Sequence, residues 1–151
     1  MEMTANRTPA LRDNAAQAIE DLALGLTPPA LAAHRYLLSA AGAMNLAAEP
    51  RVSAIRAVKL YSQDRRYLFS WIINRAHLLF YLRKPALDVM PSLKAGAKAR
   101  LRGVAVNNAG EVTMRIETLQ DAQVLTEWLF ARESWSGPDA PIELTRQRLQ
   151  K

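Results

Sequence analysis

Along the first fifty positions apolar residues recur every three or four places, and after Pro50 this rhythm gives way to alternation with period two. The first rhythm predicts helices and the second predicts strands. Thr8-Pro9 opens a first helix, because Thr can cap and Pro at the first helical position forgoes only an N–H that would lack a partner anyway. Leu11, Ala15, Ala18, Leu22 and Leu26 form its apolar stripe, with Gly25 near its end. Thr27-Pro28-Pro29 repeats the start signal, and Leu31, Leu38 and Ala41 predict a second helix ending near Gly42. Both helices are rich in Ala, which permits close packing.

Tyr67–Asn74 and His77–Arg83 are rich in aromatic and β-branched residues and are split by Arg75-Ala76, the pattern of a β-hairpin closed by Pro85. Val52–Tyr61 fits a strand or a helix, and a strand is expected. Val104–Asn107 and Glu111–Thr118 read as a second hairpin around Asn107-Asn108-Ala109-Gly110, where Gly supplies positive φ. Between the hairpins, Met90, Leu93, Ala97 and Leu101 predict a helix from about Pro91. Thr118-Leu119-Gln120-Asp121 has the form of a capping box with Asp in place of Glu. The helix it opens places Leu125, Trp128, Leu129 and Arg132 on adjoining faces.

These elements define an α+β fold: N-terminal Ala-rich helices, an antiparallel sheet built from two β-hairpins, and a capped helix packed on the sheet. One domain is expected over 1–133, with a helical part at 1–50 and the sheet plus helices at 51–133. Residues 134–151 then form a loop and a C-terminal helix or tail. Phe69, Trp71, Leu79 or Phe80, and Trp128 are the expected core. Trp135, beside Gly137-Pro138, falls outside any periodic pattern and is expected to cover the core edge or to dock another chain.

At 151 residues the chain suits one domain and can bury roughly 68–70% of its unfolded surface. It has no cysteine, which excludes disulfides, a thiolate nucleophile and Cys-based zinc or iron–sulfur sites, and fits a reducing compartment. The first seven residues are too polar for a signal peptide, and the most apolar runs are too short to span a bilayer. The expected location is cytoplasmic, with no membrane partner.

Charge changes the picture more. The net +6 conceals a division: residues 51–102 hold twelve Arg and Lys against only Asp64 and Asp88, while both flanks are mildly acidic. A basic segment of this kind attracts polyanions or an acidic protein surface. Lys94, Lys98 and Arg102 share a face if the stretch is helical; Lys98, Arg100 and Arg102 share one if it is a strand. With Arg65 and Arg66 these are the candidate nucleic-acid contacts. Tyr67, Phe69 and Trp71 alternate along one strand face, as a base-stacking platform would. Aromatics so placed more often fill a core, and that is the expectation here.

Signs of catalysis are sparse. His34 and His77 form no pair, and a transition-metal site is not expected. Glu49-Pro50-Arg51 has the acid-x-basic spacing of some Mg²⁺-dependent nucleases, but Pro50 argues against a ladder strand there. Glycine-rich phosphate loops and paired catalytic carboxylates are missing. The sequence therefore favours a non-enzymatic module without a cofactor that binds nucleic-acid backbone through 51–102. The alternative is an interaction or regulatory subunit with an acidic partner, running as a homo-oligomer or with another protein. An enzyme with an unfamiliar site ranks third.

Overall fold

In the computed structural model, which describes residues 15–131, the period-two segments pair edge to edge and the helices pack on one side of the resulting sheet. Chain order is a helix over 15–22 (α1), α2 (Pro28–Ala43), β1 (Ala47–Val52), β2 (Arg56–Tyr61), β3 (Tyr67–Ile73) and β4 (Leu78–Leu82). Then come α3 (Lys84–Val89), α4 (Leu93–Arg100), β5 (Ala105–Val106), β6 (Val112–Ile116) and α5 (Leu119–Leu129). The strands lie in the order β1-β2-β3-β4-β6-β5, every pair antiparallel. The α+β architecture read from the sequence is the one found. Trp135 and the segment 134–151 lie outside the described residues, as does the helix start at Thr8-Pro9.

Register fixes which side chains enter the core. Val58 and Leu60 face Trp71 and Phe69, which face Phe80 and Leu82, which face Met114 and Val112. All eight are buried and form one cluster with Leu37 and Ala41 of α2, Ala86 of α3, Ala97 of α4 and Leu125 of α5. Burying such a side chain is worth roughly 1.5–3 kcal/mol, so this single face carries the stability of the fold. Leu79 is turned to the opposite face, and Phe80 is the core residue of that pair.

Several boundaries differ from the sequence reading. Residues 47–52 form a strand despite Pro50, because β1 is a sheet edge and an edge tolerates a missing N–H. Pro85 does not merely close a strand but occupies the first turn of α3. In α2 the buried stripe is Ala30, Ala33, His34, Leu37 and Ala41, while Leu31 and Leu38 are only half-buried. The α5 cap forms as expected, Thr118 Oγ1 accepting from the Asp121 N–H at 3.1 Å. The return bond from Asp121 reaches the N–H of Glu117 at 2.9 Å, one residue earlier than a capping box places it.

Two interior contacts yield tests. Trp128 is half-buried at the core margin, against Gly96 of α4, and a Cβ built on Gly96 would fall 2.5 Å from the Trp128 ring. Ala normally favours a helix over Gly by about 1 kcal/mol. Here Gly96→Ala should instead destabilise by about 1–2 kcal/mol, because a packed indole cannot yield as a flexible chain end does. A rise in the urea midpoint for this variant contradicts the packing.

His34 is fully buried, and its Nδ1 accepts from Trp71 Nε1 at 3.1 Å. Indole donates only, so the imidazole proton rests on Nε2, which finds no partner among the described residues. Burial lowers the His34 pKa from 6.5 to about 4, with Arg35 adding to the effect and Glu20 opposing it. A lowered folded pKa means the unfolded chain takes up its proton first as pH falls. This group's contribution is therefore complete above pH 6.5 and is lost on the way down to about 4, amounting to about 3 kcal/mol. Urea titrations at pH 7 and pH 4 should show that extra loss in the wild type relative to His34→Gln. Equal losses in the two proteins would rule it out.

Candidate functional site

Among the described residues, helices cover one face of this antiparallel sheet and leave the other open. Here the open face carries three rows across the strands. The first holds Tyr61, Tyr67, Arg83 and Glu111; the second Glu49, Lys59, Ser70, Tyr81 and Thr113; the third Arg51, Ala57, Ile72, Leu79 and Arg115. This surface combines aromatic rings with cations.

Of Tyr67, Phe69 and Trp71, expected together in the core, Phe69 and Trp71 are there and Tyr67 is not. Between Leu60/Phe69 and Tyr61/Tyr67 the register shifts by one residue, and the additional residue is Leu68. The bulge turns Tyr67 to the open face while Leu68, Phe69 and Trp71 are buried. Phe69 and Trp71 belong to the core, and the open-face tyrosines come from three different strands.

The bulge sets up a ladder of stacked groups across one end of the sheet. The Arg65 guanidinium lies 4.4 Å from the Tyr61 ring centre, Tyr61 stacks on Tyr67 at 5.0 Å and 23°, and Arg83 lies 4.1 Å from Tyr67. Each end closes on a carboxylate, Arg65 on Glu49 at 2.8 Å and Arg83 on Glu111 at 2.8 Å. Glu111 is held further by Asn107 Nδ2 at 3.0 Å. Arg65 takes a left-handed backbone (φ 65°) in the β2–β3 turn, where buried Ser62 bonds Asp64 and the Arg66 N–H. Lys59 lies 5.8 Å from the Tyr67 ring.

Beside the ladder lies a depression of about 250 Å³. Ala57, Ser70 and Ile72 form its floor, Tyr67, Tyr81 and Arg83 stand round it, and Arg51, Ile55, Asn107 and Glu111 complete the rim. Arg51 comes from the β1 edge and Asn107 from the turn before β6, so side chains from opposite margins of the sheet line one hollow. Arg51 is steadied by its Nε bond to Ser53 Oγ at 3.2 Å.

The six sequence-predicted contacts do not share one surface. Arg65 and Arg66 occupy the β2–β3 turn, paired with Glu49 and Asp64. Arg102 lies at the opposite end of the sheet, beside Glu117 at 3.6 Å and Asp121 at 3.1 Å. Lys94 and Lys98 are exposed on α4, opposite buried Leu93 and Ala97. The helix ends at Arg100 and Leu101 is extended, so Arg102 leaves the stripe that a longer helix would have continued. Arg100 folds back, bonding the Gly96 carbonyl at 3.1 Å with its guanidinium 5.3 Å from the Trp128 ring.

Among the described residues, no group of three or more His, Asp and Glu could hold a metal ion, and no helix is long and apolar enough to cross a membrane. Glu49 and Arg51 share the open face of β1, but Glu49 is engaged by Arg65. No family model, curated protein or solved structure matches this chain.

The two ends of the ladder should differ in energy. Glu111 is buried and Arg83 partly so, whereas Arg65 and Glu49 are both exposed. Arg83→Ala should cost about 2 kcal/mol by stranding Glu111, and Arg65→Ala less than about 1 kcal/mol. Chemical denaturation of both variants checks the order, and equal costs would argue against a closed ladder.

Proposed function

We propose that this chain is a nucleic-acid-binding module whose ligand lies on the open face of the sheet. The observation that carries the reading is the face left free of helix among the described residues, where Tyr61, Tyr67 and Tyr81 stand among Arg51, Lys59 and Arg83. Nucleic acids offer phosphates to cations and flat bases to aromatic rings, and an open sheet can meet both at once. The net excess of ten positive charges over 51–102 supports the same class of ligand through its long-range field. This reading moves the contact from the six residues named on sequence grounds to the sheet.

A second reading, a protein partner with an acidic surface, is favoured by a different observation. Leu24 and Val52 are about 70% exposed, and hollows beside them are lined by Arg56 and Arg75. Apolar groups beside cations suit an apolar-acidic partner segment, although Asp21 also lines the hollow at Val52.

Fluorescence anisotropy with labelled oligonucleotides over a range of salt concentrations decides between the surfaces. Each phosphate neutralised on a single strand contributes about −0.7 to the slope of log affinity against log salt. Replacing Arg51 and Lys59 together by Ala should flatten the slope by about 1.4 units, while replacing Lys94 and Lys98 should leave it unchanged. The reverse result would transfer the contact to α4. A wild-type protein that retains no nucleic acid even at low ionic strength would leave the partner reading in its place.

A further inference from the structure

Three tyrosines stand on the open face, but their rings are not equally accessible. Tyr61 is stacked between Arg65 and Tyr67, and Tyr67 between Tyr61 and Arg83. Tyr81 is half-buried and has no stacked ring or cation over it among the described residues. Its neighbours across the strands are Ser70 and Thr113, both too short to cover it. Its side chain lines the 250 Å³ depression, below the roughly 300–1,000 Å³ of pockets for drug-sized ligands and suited to one planar ring system.

We infer that the ligand is single-stranded and that one of its bases enters this depression and stacks on Tyr81. The inference rests on the nucleic-acid reading above and names the form of nucleic acid. Duplex recognition through the backbone needs a row of cations turned to phosphates. In this structure Arg65, Arg66, Arg83, Arg102 and Arg115 each pair with a carboxylate. On the open face that leaves Arg51 and Lys59 without a carboxylate, too few for strong phosphate binding alone. A free aromatic face compensates only for a ligand whose bases are exposed, and a duplex keeps its bases stacked inside. Arg51, held through Nε alone, keeps its remaining N–H donors for a phosphate at the rim. Ser70, 3% exposed on the floor, admits a ring where a larger side chain would fill the space.

The test uses a short labelled oligothymidylate and the duplex it forms with oligoadenylate. The wild type should hold the single strand more tightly than the duplex. Tyr81→Leu, which keeps apolar bulk but removes the stacking face, should weaken single-strand binding about ten-fold with an unchanged salt slope. Tyr81→Phe should bind as the wild type does. Photocrosslinking of the wild-type protein to a bromodeoxyuridine-containing strand gives a readout free of any variant, and attachment should map to Tyr81. Equal affinity for duplex and single strand, an undiminished affinity in a folded Tyr81→Leu protein, or crosslinks confined to α4 would overturn the inference while leaving nucleic-acid binding in place. Retention of neither probe would overturn both.

Discussion

Where β2 pairs with β3, one strand carries a residue more than the other: Leu60 faces Phe69 and Tyr61 faces Tyr67, with Leu68 between. A strand has period two, so one inserted residue reverses every side chain beyond it. Both faces depend on that reversal. On the inner side Leu68 joins Phe69 in the core, and the Leu68 carbonyl accepts from the Arg83 N–H at 2.9 Å, anchoring the chain as it leaves β4. On the outer side Tyr67 meets Tyr61 and Arg83, and the stacked ladder follows. A regular β3 would bury Tyr67 and leave the open face without its central ring.

The ladder also shows why a stacked cation differs from a free one. An exposed cation–π contact is worth about 0.5–1 kcal/mol and an aromatic pair about 0.5–1.5 kcal/mol, so a chain of such contacts holds its members even though each is weak. At the Glu49 end both partners are exposed, and a phosphate could replace the carboxylate at little cost. At the Glu111 end the carboxylate is buried and additionally bonded by Asn107, so Arg83 is committed to structure. One end of the ladder is open to exchange with a polyanion and the other is fixed.

Much of the fold was legible in the residues themselves. Thr118 before Asp121 marked a helix start, Gly110 marked a turn with positive φ (84°), and the alternation of Val112, Met114 and Ile116 marked an inward face. The α2 stripe was harder to place, because in a helix this rich in Ala the larger Leu31 and Leu38 draw the eye while Ala30, Ala33 and His34 are what the core admits. The strand at Ala47–Val52 was hidden by Pro50, since nothing local says that a segment will be an edge. The bulge at Leu68 was equally hidden: alternation around Tyr67, Phe69 and Trp71 is identical with or without an inserted residue, and only pairing with β2 reveals it. The candidate site was least legible for this reason, its three tyrosines being assembled by register rather than by spacing.

The charge distribution gives the sharpest contrast between sequence and surface. Residues 51–102 carry a large positive excess, yet Arg65, Arg83 and Arg102 find their acids in Glu49, Glu111, Glu117 and Asp121, all outside that segment. Folding brings the acidic flanks onto the basic segment, and a count along the chain cannot register this. The overall field is unaffected, since salt bridges move no net charge, and +6 still draws polyanions from a distance. Local affinity is another matter, because a cation already paired gains little by exchanging one anion for another. On this sheet the long-range field and the local grip on a ligand are therefore separate quantities, the first set by net charge and the second by which side chains remain unpaired.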